Sequence, residues 1–407
     1  MSMALSTTIL LSSLFLPRLV LLLSQATGGV WLSKWSISSI CGGVSLIAII
    51  GFLSYLMCSR FGCCEEEEIN SESEEEAGLS DPDDPDMGPT ANKFIQQGGP
   101  LPSELESLEA FSLRDLKDAT KNFSWFHRVG KGGFGAVYKG QLSDGRWVAV
   151  KRSQVVGVSK RDSVFTSEIK TQAKSEHINV LKVIGYCVEY NERIIVFEYM
   201  AQKDLYGHLY LKPWQKKSQV FRSWSMRVKI LLDAGRGLNY LHQKGIVHRD
   251  IKSPNILIDG DLVGKISDFG GALVLAPGRT SVKVEGGFGT SGYIKPGKQS
   301  KRSMKPQKAK NKEKTVVDSK SDLYSFGVVM LEVITGKKAY RLRKEFLKSN
   351  SKVNTVLDQR LAKPVGDDKM KAIQRLMYVA KVCLQPTPEI DMMAIVGELE
   401  SALTLFV

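Results

Sequence analysis

The segment His248-Arg249-Asp250-Ile251-Lys252-Ser253-Pro254-Asn255, followed by Asp268-Phe269-Gly270, constrains this chain more than any other stretch. It gathers two carboxylates, an amide and an ammonium, the set of groups that phosphoryl transfer requires. Asp250 is expected to accept or orient the proton of an attacking hydroxyl. Asn255 and Asp268 offer the hard oxygen ligands that suit magnesium held against phosphates, and Lys252 can stabilise charge on the transferring group. Each short string could arise by chance, but the full set in this order and at these separations does not.

Upstream, Gly130-Lys131-Gly132-Gly133-Phe134-Gly135-Ala136-Val137 supplies glycines that let backbone amides approach phosphates closely. A G-x-G-x-x-G string is weak evidence alone, because dinucleotide sites use it too. Those sites need a helix to start at the glycines. Here Val137-Tyr138-Lys139-Gly140, a turn at Asp144-Gly145 and Trp147-Val148-Ala149-Val150-Lys151 read as a strand pair, so the glycines join two strands. Lys151 closes an apolar strand, and a half-buried ammonium needs a partner. Glu168, on the next expected helix, is the candidate, although taken alone it would read as a surface glutamate. Leu113, Leu116 and Ala119 carry helical spacing after Phe111.

From Phe111 to about Leu399 the chain resembles the plant receptor-like kinases, the group related to the animal Pelle and interleukin-receptor-associated kinases. The matches are Asn122-Phe123-Ser124, Ile184-Gly185-Tyr186-Cys187, Val196-Phe197-Glu198-Tyr199-Met200, Gly237 to His242, His248 to Leu257, and Lys320 to Val328. The resemblance implies an α+β, bilobed kinase fold with a β-rich N-lobe and a mainly α-helical C-lobe. It implies a serine/threonine kinase using ATP with Mg2+, or Mn2+ in its place; Lys252 after the catalytic aspartate looks like the serine/threonine type. ATP contacts are implied at Gly130, Lys131, Gly132, Gly133, Phe134, Gly135, Val137, Ala149 and Lys151, with Glu168 holding Lys151 and Glu198 to Met200 forming the adenine-binding hinge. Asp250 and Lys252 are then catalytic, Asn255 and Asp268 metal ligands, and Asp322 the brace of the catalytic loop. Thr290 matches the family's substrate-positioning threonine. Arg249 beside Asp250 invites a phosphate on the activation loop, and Thr280 or Ser281 is the expected autophosphorylation site.

The chain departs from the family in three places. Pro296-Gly297 replaces the usual Pro-Glu, and Asp391 stands where an arginine is usual. Those two side chains form a buried ion pair in the family. Losing one partner of such a pair costs roughly 3–5 kcal/mol; with both gone, that cost is avoided and the anchor of the activation segment is lost. Third, the stretch from Lys298 to Lys314 carries Lys298, Lys301, Arg302, Lys305, Lys308, Lys310, Lys312 and Lys314 and reads as a flexible basic loop. The stretch after Gly336 also looks shortened. These departures leave open an alternative class: an ATP-binding pseudokinase scaffold, or a decoy, with weak or no transfer.

The N-terminal region has a different character. Ile9 to Leu23 is apolar but broken by Pro17-Arg18, and Ser24-Gln25-Ala26 suits signal-peptide cleavage after Ala26, with an uncleaved hydrophobic segment as the alternative. Ile37 to Cys58 contains no charge, against the roughly 20 apolar residues a bilayer span needs. Although the net charge is +13, acids dominate from Arg60 to Glu109. The expected organisation is a signal peptide (1–26), a short extracellular segment (27–36), a single transmembrane helix (37–58), an acidic, disordered juxtamembrane linker (59–110) and a kinase domain (111–407). The kinase would then be cytosolic, because ATP is, at the cell membrane. The six cysteines show no C-x-x-C spacing, which argues against a disulfide scaffold or structural metal site; Cys63-Cys64 suits palmitoylation, with plain thiols the alternative. Expected partners are a protein substrate bearing serine or threonine, the plasma membrane, and a co-receptor or full-length receptor kinase. Nucleic acid is not expected, since no aromatic platform accompanies the lysines.

Overall fold

The computed structural model describes residues 105, 107–132, 135–153, 158–210, 223–285, 288–295, 314–339 and 357–406. The expected signal peptide, extracellular segment and transmembrane helix lie outside these residues, as do Cys63, Cys64 and most of the linker. No helix among the described residues is long and apolar enough to cross a membrane.

The N-terminal elements are β1 (Glu109–Ala110), α1 (Leu113–Ala119), β2 (Arg128–Gly132), β3 (Gly135–Gln141), β4 (Trp147–Ser153), α2 (Val158–Ala173), β5 (Val183–Glu189) and β6 (Glu192–Glu198). Their strands form one sheet in the order β1-β5-β6-β4-β3-β2, antiparallel except where β1 runs parallel to β5. The strand pair expected around Asp144-Gly145 is β3–β4, with Tyr138 opposite Val150 and Lys139 opposite Ala149. Its turn is closed by the Leu142 amide on the Arg146 carbonyl at 2.9 Å. Because strand side chains alternate, Val148 and Val150 pack with Leu113, Leu116 and Tyr138 on one face. Ala149 and Lys151 are left on the other. Helix α2 meets that second face with Phe165, Glu168, Ile169 and Gln172, a one-sided spacing in which all four are buried.

The linker expected to stay disordered through residue 110 ends sooner. Leu105 is buried in a cluster with Phe165, Ile169 and Leu181, and Glu109 and Ala110 pair with Gly185 and Tyr186. A side chain at Gly185 would lie 2.0 Å from the Glu109 carbonyl oxygen, so the close approach of β1 requires glycine there. Two leucines, Leu105 and Leu108, bury enough surface to order a stretch whose composition is otherwise acidic and polar.

The C-terminal elements are α3 (Leu205–Leu209), α4 (Trp224–Gln243), β7 (Ile246–Val247), β8 (Ile256–Ile258), β9 (Gly264–Ile266), β10 (Leu273–Val274), β11 (Ser281–Glu285), β12 (Lys314–Asp318), α5 (Ser319–Thr335), α6 (Asp367–Leu384) and α7 (Met392–Thr404). Helix α5 is buried at every position from Asp322 to Thr335, and α6 packs along it while α7 packs on α4. Lys314, expected in the basic loop, instead opens β12; the remainder of that loop lies outside the described residues.

A buried ion pair ties α4 to the chain before α6. Arg227 reaches Asp358 at 2.6 Å, and Arg360 reaches the same carboxylate at 2.7 Å. Burial raises the Asp358 carboxyl, but the guanidinium groups of Arg360 and Arg227 override it and hold it at about 2, below its ordinary 3.8. A carboxyl depressed in this way contributes stability that is complete above pH 3.8 and is lost as pH falls toward 2. Asp358→Asn is expected to destabilise the fold by roughly 3 kcal/mol at neutral pH. Urea titrations should show the gap from wild type closing across that acid window.

Candidate active site

Strand alternation puts the Lys151 ammonium where two carboxylates meet it. Its Nζ lies 2.7 Å from Glu168 on α2 and 2.9 Å from Asp268 in the segment after β9. The Lys151 side chain is 13% exposed and that of Glu168 3%. Burial alone would pull the lysine pKa down, yet Asp268 and Glu168 outweigh it and hold the ammonium charged. The same contact keeps the Asp268 carboxyl below its ordinary range despite burial. Asp268 adopts φ 65°, a left-handed backbone that non-glycine residues avoid, and its bond to Lys151 helps to hold it there.

The loop that bears Asp250 is suspended from α5. Asp322, fully buried, accepts from the amides of His248 and Arg249, each at 2.8 Å, and contacts His242 Nε2 at 3.0 Å. These bonds hold Arg249 at φ 69°. His248 Nε2 lies 3.0 Å from the Ser267 carbonyl. A carbonyl only accepts, so Nε2 carries the proton and Nδ1 faces the Asp250 amide, at 3.3 Å. Asn255 donates its amide nitrogen to the Asp250 carbonyl and carboxylate, at 2.9 and 3.3 Å. Its side-chain oxygen accepts from no donor among the described residues, which fits a ligand of a hard cation.

Asp250 and Lys252 converge on a hydroxyl. Thr290 donates to Asp250 Oδ1 at 2.7 Å, Lys252 donates to Thr290 at 2.8 Å, and Lys252 Nζ lies 2.7 Å from Asp250 Oδ2. The segment bearing Thr290 is tied down on both sides. Before it, β11 pairs with β12 in five register pairs from Ser281↔Asp318 to Glu285↔Lys314. After it, Tyr293 reaches Ser253 and Glu332 through its hydroxyl and Ser325 through its carbonyl. Arg249, expected to await a phosphate, stacks over Phe288 with its guanidinium carbon 4.8 Å from the ring centroid. Asp391 caps α7 by accepting from the Ala394 amide at 2.9 Å, and Pro296 and Gly297 lie outside the described residues. Asp391 therefore does a local task, and the segment is held by other contacts.

Gly130, Lys131 and Gly132 lie on β2 and pair with β3, which carries Gly135 and Val137, so the glycines fall on two antiparallel strands as the sequence predicts; Gly133 and Phe134 lie outside the described residues. Gly135 tolerates no side chain, since a Cβ would fall 2.4 Å from the Arg152 carbonyl oxygen at φ 156°. At the end of β6, Glu198 is bound through its carboxylate to Lys265 at 2.8 Å and to the Lys182 amide at 2.8 Å. Its side chain is thereby committed, leaving only backbone for a ligand. The Met200 amide hydrogen has no acceptor among the described residues, as a hinge donor for an adenine ring requires. The contacts missing from the sequence reading are Lys265–Glu198, Arg227–Asp358 and the Tyr210–Glu332–Tyr293 cluster. One signal was available: Glu332 is a lone acid in the apolar run Gly327–Ile334.

The protein kinase domain family matches residues 123–389 of the 407. Among curated proteins of Arabidopsis thaliana, the chain is 33% identical to the receptor-like kinase TMK4 over 75% of its own length and 32% of that protein. It is 34% identical to the serine/threonine-protein kinase-like protein CCR4, over 73% of this chain and 41% of CCR4. It is 37% identical to a G-type lectin S-receptor-like serine/threonine-protein kinase, over 61% of this chain and 28% of that relative. The chain thus spans less than half the length of these relatives.

Asp322→Asn tests the suspension of the loop. An amide presents one acceptor atom where two are used, so at least one buried N–H loses its partner at about 1–3 kcal/mol. The variant is expected to lose about that much unfolding free energy, and hydrogen exchange at His248 and Arg249 should accelerate beyond the global change.

Proposed function

This chain belongs to the protein kinase family, and on that premise we propose that it is a membrane-anchored serine/threonine kinase. It moves the γ-phosphoryl group of ATP onto hydroxyls of protein substrates. The observation that carries the reading is the grip of Asp250 and Lys252 on the Thr290 hydroxyl, at 2.7 and 2.8 Å. It is the contact a hydroxyl nucleophile requires: a carboxylate to take its proton and an ammonium to offset charge on the oxygen. Lys151, held by Glu168, binds the α- and β-phosphates, and the glycines from Gly130 to Gly135 bring backbone amides to the phosphates. The Met200 amide and the backbone at Glu198 take the adenine edge, with Val137 and Ala149 against the ring. Asn255 and Asp268 would hold Mg2+, which would supply neutralisation of the phosphate charge. Lys252 stands beside Asp250 to steady the transferring group.

Support for the serine/threonine class comes from the relatives named above and from Lys252 itself. The pseudokinase alternative requires a poorly held activation segment; the β11–β12 ladder and the Tyr293 contacts favour the active reading. Anchoring rests on the uncharged run Ile37 to Cys58 and on the names of receptor-like relatives. A cytosolic kinase at the plasma membrane, with a receptor kinase or co-receptor as partner, follows from the same reading.

Radiolabelled transfer by the full chain in vesicles, with magnesium ATP and a protein acceptor, tests the proposal. Label on serine or threonine is expected for wild type, with Asp250→Asn slower by about 10²–10⁴-fold and Lys151→Ala similarly impaired. A folded, nucleotide-binding wild type that transfers nothing would overturn catalysis in favour of a scaffold. Release of the chain from the vesicles by alkaline carbonate would overturn the anchor.

A further inference from the structure

Glu332 sits within α5, 0% exposed, and makes no ion pair among the described residues. The hydroxyls of Tyr210, Tyr293 and Ser253 and the Ala339 amide surround its carboxyl. Oε1 lies 2.9 Å from the Tyr210 hydroxyl and 3.2 Å from the Ala339 amide, and Oε2 lies 2.8 Å from the Tyr293 hydroxyl. Tyr210 also lies 2.9 Å from the Lys337 carbonyl, and Tyr293 lies 3.0 Å from Ser253 Oγ.

Counting protons decides the charge state. A phenol has one proton. If Glu332 were ionised, Tyr210 would face two acceptors at 2.9 Å, the carboxylate and the Lys337 carbonyl, with one proton for both. If Oε1 carries a proton, it donates to the Tyr210 oxygen, and Tyr210 donates to the carbonyl. Tyr293 donates to Oε2 and accepts from Ser253, while the Ala339 amide points at the remaining lone pair of Oε1. Each contact of Tyr210, Tyr293 and Ala339 with the carboxyl then joins one donor to one acceptor, and no unpaired charge is buried.

The surrounding charges leave this assignment in place. Burial raises the Glu332 carboxyl against the opposing pull of Tyr293, Ser253, Tyr210 and Ala339. Tyr210 and Tyr293 are themselves pushed above the ordinary phenol range by burial and so remain protonated. On α4 and before α6, the cations Arg227 and Arg360 are both bound to Asp358. Lys338, on the chain after α5, lies over the rings of Tyr206 and Tyr210 at 5.6 and 5.9 Å from their centroids.

We infer that Glu332 is held in the folded chain as a neutral carboxylic acid and acts as a positioning residue for the activation segment. Its hold is indirect. Tyr293 is fixed by Glu332 and Ser253, and the Tyr293 amide donates to the Thr290 carbonyl at 3.1 Å. Thr290 is thereby set against Asp250 and Lys252. Tyr210, at the end of α3, joins the chain after α5 to the same proton. Loss of that proton leaves one of the two acceptors around Tyr210 unmet and puts a bare charge in the helix core. The positioning role rests on the kinase reading above; the protonation state does not.

The test compares wild type, Glu332→Gln and Glu332→Ala in the full chain. A carboxyl whose folded pKa is raised contributes stability that is complete below its ordinary value of 4.5 and is lost as pH climbs through the folded value. The melting temperature of wild type relative to Glu332→Gln is therefore expected to fall steadily from about pH 5 upward. Infrared difference spectra at neutral pH are expected to show a protonated carboxyl band that Glu332→Gln lacks. A wild-type advantage over Glu332→Gln that grows with pH, or no such band, would overturn the neutral acid. For the positioning role, peptide kcat should fall at least tenfold in Glu332→Ala, with partial recovery in Glu332→Gln and an unchanged KM for ATP. Equal kcat in all three would overturn it. A wild type without transfer fails the kinase reading instead, while the melting and infrared results still decide the proton.

Discussion

A charged ammonium in a poorly solvated cleft is tolerated only with carboxylates around it, and Lys151 has two. Desolvating one ion costs several kcal/mol, recovered only when the geometry is good and the neighbouring polar groups are met. That condition has structural consequences on both sides of the cleft. It requires α2 to turn Glu168 inward, onto the face of β4 that alternation leaves for Lys151. It also requires the chain after β9 to bring Asp268 in from the opposite side, through a left-handed residue that would otherwise be unfavourable. Strand, helix and loop are thus set by one point charge. The same arrangement keeps the Asp268 carboxylate ionised, one condition for holding a divalent cation.

The second support is α5. Its first turn carries Asp322, which suspends the loop from His248 to Asp250; its last carries Glu332, which meets Tyr293 and Tyr210. The strand β12 leads directly into its N-cap Asp318 and pairs with β11. One buried helix therefore meets the loop that bears Asp250 and the segment that bears Thr290. Neither loop could keep these polar contacts on a helix free to shift. The packing of α6 along it, with Gly327 so near Cys383 that a Cβ would fall 2.6 Å away, keeps that support rigid.

How much could be read beforehand follows from where the constraint lies along the chain. Asp250, Lys252, Asn255 and Asp268 were legible because the chemistry demands particular side chains at short spacing. The Lys151–Glu168 pair, 17 residues apart, was legible because a buried lysine demands a partner and a helix follows. Glu332 was not linked to Tyr293 or Tyr210, 39 and 122 residues away, because only the folded chain brings those phenols to it. Composition misled at two boundaries. Leu105 lies in an acidic stretch and Lys314 in a basic one, yet the first is buried and the second pairs in a ladder. The absent ion pair at Gly297 and Asp391 suggested a loose activation segment, since the ladder and the Tyr293 contacts that hold it carry no local signature.

The central claim is that Lys151, Glu168 and Asp268 form one electrostatic unit, which on the proposed function receives a nucleotide on the lysine and a metal ion on the aspartate. Calorimetric titration of ATP into the full chain, with and without magnesium, tests it most directly when repeated on Asp268→Asn. The account predicts that magnesium tightens ATP binding to the wild type and that this gain vanishes in Asp268→Asn while metal-free binding persists. Binding that is indifferent to magnesium in the wild type, or a gain that survives the loss of the Asp268 charge, would contradict it.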